Sequence, residues 1–228
     1  MSLFSKDQRS IFMAEAVGTY ALVLAGTGAI MVNDLYGGAL GHLGIALVFG
    51  MVVMAMIYAL GEISGAHFNP AVTLGFVAAK RMPLSRAPLF ISAQLTGALL
   101  ASASLWALLP DHPTMGATLP AGSQAQSFGF EIILTAILMF VILCVSTGAK
   151  EKGISAGAAI GATVGLEALF AGPVTGASMN PARSIAPALF SGELSSLWVY
   201  ITAPIIGALI AVLICRNIHP CDDDDGCC

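Results

Sequence analysis

A ten-residue pattern occurs twice, and it limits what the chain can fold into. Ser-Gly-Ala-His-Phe-Asn-Pro-Ala-Val-Thr spans 64–73, and Thr-Gly-Ala-Ser-Met-Asn-Pro-Ala-Arg-Ser spans 175–184. Both have a small hydroxyl residue, Gly, Ala, two variable positions and then Asn-Pro-Ala. Asn is a good helix N-cap, and Pro is favoured at the first helical position. Asn69-Pro70-Ala71 and Asn180-Pro181-Ala182 therefore read as two helix starts. The first helix has room to run from Pro70 to about Ala79, where Lys80-Arg81 stop it. At ~1.5 Å per residue that is ~15 Å.

The surroundings give that length its meaning. Hydrophobic residues make up 57% of the chain and charged residues 10%, against roughly 25% charged in soluble domains. The chain is an integral membrane protein. A helix of ~15 Å covers half of a ~30 Å hydrocarbon core and cannot span it. Two such half-helices entering from opposite faces would meet N-terminus to N-terminus near the midplane. Broken helices in related halves mark a binding or permeation site.

Six full spans can be drawn, at about 11–32, 41–60, 87–109, 127–149, 154–171 and 195–215. The half-helices lie between spans two and three and after span five. Each half of the chain is thus three spans plus a half-helix, over about 11–109 and 127–216. Glu15 and Thr19 recur as Glu131 and Thr135, and Gly97-Ala98 recurs as Gly207-Ala208. An odd number of spans per half requires the second half to be inserted upside down, as an inverted repeat. The fold class is all-α membrane protein: six transmembrane helices plus two re-entrant half-helices, in one domain covering 1–228. The segment 217–228, with its Asp and Cys residues, is expected to be a disordered cytoplasmic tail.

Lys6, Arg9, Lys80, Arg81, Arg86, Lys150, Lys152 and Arg216 all fall on one side of this topology. The positive-inside rule places that side, and both termini, in the cytoplasm. Arg183 is the ninth basic residue and stands apart on the other side. A lone Arg in an apolar context is costly and usually functional. Glu15 and Glu131 are intramembrane carboxylates, for which a network role with a named partner is expected. Gly157 and Gly161, and Gly97 and Gly207, read as close-packing positions between helices. There is no basic patch for nucleic acid. No nucleophile–base pair or metal-ligand set appears, so an enzyme is disfavoured and neither metal nor cofactor is expected.

Paired Asn-Pro-Ala motifs, the second followed by Arg183, resemble the aquaporin or major intrinsic protein family. The resemblance covers about Phe12 to Arg216. The run from Gly172 to Ser184 is similar to the nodulin-like subgroup. The resemblance implies a constriction formed by Phe49, Ala168, Ala177 and Arg183. It implies that Glu15 and Glu131 accept hydrogen bonds from the re-entrant loops, and that His67 lies in the inner vestibule wall. It further implies a homotetramer in the plasma or inner membrane, with one pore per subunit. Water-selective members carry His where this chain has Ala168, and glycerol-conducting members carry two aromatics where it has one.

The expected function is a passive channel for water and small uncharged solutes, such as glycerol or boric or arsenous acid, that excludes protons and ions. A strictly water-selective channel is the first alternative. A coupled secondary transporter also uses inverted repeats, but it needs an ion site of acids at the midplane, where this chain has amides. Glu62 and Glu167 depart from the family pattern.

Overall fold

The computed structural model describes residues 5–146 and 150–218, excepting the side chains of 150–154. The acidic and Cys-rich end beyond Ile218 and the side chains of Lys150 and Lys152 lie outside the described residues. Eight α-helices follow in order: α1 (Lys6–Leu35), α2 (Gly41–Ser64), α3 (Pro70–Ala78), α4 (Ala87–Leu108), α5 (Gln124–Val145), α6 (Lys150–Thr175), α7 (Pro181–Ser191) and α8 (Leu197–Ile218). Six of them are long and apolar enough to cross a membrane. The remaining two, α3 and α7, are the half-helices, with 9 and 11 residues. At ~1.5 Å per residue neither reaches across a bilayer core.

Local chemistry explains the boundaries. Ser5 and Gln8 close a capping box at the start of α1, which satisfies two backbone N–H groups that a helix start leaves open. Asn69 and Asn180 cap α3 and α7 with their side-chain oxygens, and Pro follows each at the first position. Gly65 ends α2 and Gly192 ends α7 in the left-handed conformation, where a missing Cβ removes the steric cost. Most spans start or end a few residues away from the sequence expectation, α1 starting at Lys6 and α5 at Gln124. Span five continues to Thr175, because Pro173 near its end removes only one backbone donor. The last helix takes in Asn217 and Ile218, with the Asn217 side chain donating to the Leu213 carbonyl.

The packing has a repeated plan. Helix α1 lies against α4 and α2, and α5 lies against α8 and α6. The two sets are joined by α2 against α6, and each half-helix crosses over, α3 onto α8 and α7 onto α4. Glycine makes these approaches possible. A Cβ on Gly97 would collide with the Ala16 carbonyl oxygen, and one on Gly207 with that of Ile132. At the α2–α6 seam a Cβ on Gly161 would lie 2.6 Å from the Gly50 carbonyl oxygen and 2.7 Å from Met54 Cβ. Backbone-to-backbone contact of this kind is what small residues contribute where lipid supplies no hydrophobic drive between helices. The outward faces are apolar, with Leu43, Leu47 and Met51 of α2 all at least half exposed.

Gly161→Ala should therefore lower stability in detergent by about 1–3 kcal/mol. Gly129→Ala, inside α5 where a Cβ meets nothing within 4 Å, should raise it slightly, by up to about 1 kcal/mol. Thermal melting of the two variants side by side checks this, and equal midpoints would refute the seam as a close-packed contact.

Candidate functional site: the pore between two half-helices

The loops that lead into α3 and α7 have the same unusual backbone. Gly65, Ala66 and Phe68 have φ of 86°, 51° and 50°, and Gly176, Ala177 and Met179 have 84°, 41° and 54°. These are equivalent positions of the duplicated pattern. Left-handed φ at a non-glycine residue costs of order 1–3 kcal/mol and persists only where surrounding structure enforces it. The enforcing groups are the two intramembrane carboxylates. Glu15 accepts from the backbone N–H groups of His67 (2.9 Å) and Phe68 (2.8 Å) and from the Ser64 hydroxyl (2.7 Å). Glu131 accepts from the N–H groups of Ser178 (2.9 Å) and Met179 (2.8 Å) and from the Thr175 hydroxyl (2.8 Å). Both carboxylates are fully buried. Drawing the N–H groups outward turns the neighbouring carbonyls the other way, toward the space between the half-helices.

Those carbonyls join the two loops. The Asn69 amide donates to the Met179 carbonyl (2.7 Å), and the Asn180 amide donates to the Phe68 carbonyl (2.9 Å). The oxygen of Asn69 accepts from Ala71 N–H (2.8 Å), and that of Asn180 from Ala182 N–H (3.0 Å). Each amide is thus fixed at both ends and has a second N–H to offer. An amide NH2 carries two donors. The structure brings Asn69 and Asn180 to one place, where both helix N-termini direct partial positive charge.

Both asparagines line a cavity of about 770 Å³. It extends from Tyr58 and Glu62 at one mouth, past His67 and the two amides, to Phe49, Ala168, Ala177 and Arg183. Most of the wall between is aliphatic, from residues such as Val53, Val72, Leu138, Ile142 and Val164. A lumen with an apolar wall and one polar line gives a permeant few places to bind strongly, as conduction requires.

All four ring residues expected from the sequence border this cavity. Arg183 is buried, its guanidinium carbon lies 5.2 Å from the centre of the Phe49 ring, and Nη1 donates to the Gly116 carbonyl at 3.0 Å. Gly26 on α1 makes room for the Phe49 ring, since a Cβ there would collide with it. His67 also lines the cavity. Its Nδ1 is 3.1 Å from Thr73 Oγ1, and its ring stacks on Phe76 at 4.5 Å.

Several contributors were not legible in the sequence. Gln94 of α4 donates to Glu15 (2.8 Å) and to Thr73 (2.9 Å), linking the first carboxylate to α3. A polar amide inside an apolar span was the available signal. Thr118 donates to Ser184 (2.8 Å), which is 2.5 Å from the Ser178 hydroxyl. Tyr200 donates to the Thr175 carbonyl at 2.7 Å. Arg216, read as a topology charge, also donates to the Ala78 carbonyl at 2.5 Å. There a cation complements the negative end of α3. Glu167 does not border the cavity. It is buried inside the helix packing, and neither carboxylate oxygen has a hydrogen-bond partner.

Six spans, two half-helices and a cavity joining their N-termini define a multi-pass membrane channel. A family model described as major intrinsic protein matches residues 3–215. The chain is 50% identical to aquaporin NIP1-1 of Zea mays, over 86% of this chain and 70% of that one. It is 47% identical to nodulin-26 of Glycine max, over 91% and 77% of the two chains. Its fold matches the aquaglyceroporin of Plasmodium falciparum with a TM-score of 0.82, at 24% identity over 91% of this chain and 95% of that one. The chain belongs to the major intrinsic protein family. It is a transmembrane channel for water and small solutes and not an enzyme.

Glu131→Gln places an amide donor against one of the two backbone donors, Ser178 N–H or Met179 N–H, since one carboxylate oxygen that only accepts becomes an NH2. A stability loss of about 2–4 kcal/mol is expected, with reduced water permeability per folded protein. Glu62→Gln at the opposite mouth should do neither. Stopped-flow light scattering on proteoliposomes, normalised to folded protein, measures both variants. Wild-type permeability in Glu131→Gln would show that the second loop holds its shape without the carboxylate.

Proposed function

We propose that this channel passes water together with small uncharged solutes bearing several hydroxyls, such as glycerol, boric acid or arsenous acid, and that it excludes protons and ions. The observation that carries this reading is the composition of the ring. Arg183 faces the Phe49 ring across 5.2 Å, and the other two members are the methyl groups of Ala168 and Ala177. Only two side chains narrow the passage. The guanidinium supplies fixed donors for solute hydroxyls and a permanent charge against cations. Phe49 limits solute size, and the alanines leave the remaining side open and apolar.

Proton exclusion rests on the amides. Asn69 and Asn180 are held from both ends, so their free N–H groups point one way only and orient water as an acceptor. Together with the positive helix ends, this disfavours a proton-conducting chain of waters. Hydrogen-bonded amides at this level, in place of an acidic ion site, also favour a channel over a coupled transporter. The relation between the halves is read as an inverted repeat, with the Arg183 mouth outside and both termini cytoplasmic. The assembly is read as a homotetramer in a plasma or inner membrane.

The strictly water-selective alternative has a direct test. Ala168→His should keep water flux while suppressing glycerol flux about tenfold or more, and Phe49→Ala should raise glycerol flux. Such factors correspond to roughly 1.4 kcal/mol at the constriction. The measurement is stopped-flow swelling of proteoliposomes in glycerol, with water permeability recorded in parallel. Wild-type protein that conducts water but none of these solutes, unchanged in Phe49→Ala, would make this a strict water channel.

A further inference from the structure

Arg183 has one hydrogen-bond partner for its side chain among the described residues, the Gly116 carbonyl, and its Nε has none. Where the guanidinium sits therefore depends on the loop that carries Gly116. That loop, residues 109–123, joins α4 to α5 and lies over the Arg183 mouth. Its later part is tied down by Thr118, which donates to Ser184, and by Ala121 N–H, which donates to the Val174 carbonyl at 3.0 Å. Met115 is buried against Met31 and Leu105. Gly116 itself has φ +67° and lies so close to Thr27 that a Cβ would fall 2.9 Å from the Thr27 carbonyl oxygen.

The earlier part of the loop is anchored differently. His112 is buried at 5% exposure, and its Nε2 lies 3.1 Å from Asp34 Oδ2 at the end of α1. The Asp34 side chain is 54% exposed. Asp34 is held in turn by Asn33, whose amide donates to Asp34 Oδ1 at 3.4 Å and whose oxygen accepts from Gly41 N–H at 2.8 Å. The His112 Nδ1 atom is buried without a partner. One imidazole thus pins the loop to the α1–α2 corner, four residues before the carbonyl that positions Arg183.

We propose that Asp34 and His112 act as positioning residues for Arg183 and so help to set which solutes pass. The inference rests on the ring proposed above. The Asp34 carboxylate makes this tie a charge-assisted hydrogen bond, about twice as strong as a neutral one. The charged groups that face or reach this anchor are Asp34 from α1, Asp111 beside it in the loop, and Arg183 through Gly116. Losing the carboxylate charge weakens the tie to His112. The Gly116 carbonyl then holds Arg183 less firmly, and the guanidinium can leave the wall for the open side beside Ala168. Glycerol, which needs that side, is affected more than water.

The experiment measures glycerol and water permeability of proteoliposomes side by side at one neutral pH. The glycerol-to-water ratio should fall about threefold in Asp34→Asn relative to wild-type protein. His112→Gln should lower it similarly, and Asp34→Glu should restore it. Asp34 is half exposed, so the Asp34 variants should fold, and the ratio is independent of protein yield. Ala168→His is run alongside. If it shifts the ratio while Asp34→Asn keeps the wild-type ratio, the ring stands and the positioning role is overturned. If neither variant moves the ratio, or wild-type protein shows no glycerol flux, the ring reading fails and this inference falls with it.

Discussion

Everything in the pore depends on two buried carboxylates holding irregular backbone inside a membrane. A loop at this depth is tolerated only if each N–H and C=O finds a partner or faces water. Glu15 and Glu131 supply those partners, two backbone N–H groups and one hydroxyl each. Hydrogen bonds to a charged group contribute about 1.5–3 kcal/mol each, enough in sum to hold the left-handed residues that cost 1–3 kcal/mol apiece. Remove a carboxylate and the loop has neither its partners nor its shape. The carbonyls that fix Asn69 and Asn180 would then point elsewhere, and the polar line of the lumen would be lost.

The amide exchange between the loops is the second consequence. Asn69 donates into the second loop and Asn180 into the first. The half-helices are therefore registered against one another by direct bonds as well as by packing. Each is backed by a span from the other half of the chain, α8 behind α3 and α4 behind α7. Neither half can form its share of the pore alone. The glycine seam between α2 and α6 completes the enclosure. It brings those helices together at their backbones, with Phe49 on one and Ala168 on the other bordering the lumen.

The two loops are alike in backbone and unlike in their outer contacts. On the first side, Thr73, His67 and Gln94 connect the loop to α4 and to aromatic rings. On the second, Ser184, Ser178 and Thr118 connect it to the loop between α4 and α5. Thr73 and Ser184 occupy equivalent positions of the duplicated pattern, so one hydroxyl serves two different networks. The second network belongs to the end where Arg183 meets Phe49. Duplicated sequence supplies the shared scaffold, and the residues around it make the two ends of the lumen different.

Much of this was written in the sequence. Asn-Pro at two related positions determined where the half-helices begin, because capping and the proline φ are local effects. Apolar content and span length determined that the chain is a membrane bundle, and the isolation of Glu15, Glu131 and Arg183 among apolar residues marked them as costly and hence purposeful. What the sequence could not determine is who answers them. Gln94 meets Glu15 across 79 positions, Gly116 meets Arg183 across 67, and Asp34 meets His112 across 78. No local propensity encodes such pairs. Glu167 makes the same point from the other side. It stands next to Ala168, but one residue along a helix is a rotation of ~100°, and the packing of α6 turns it into the protein. Local chemistry set the elements and their ends. Only their packing decided which backbone group each buried side chain would meet.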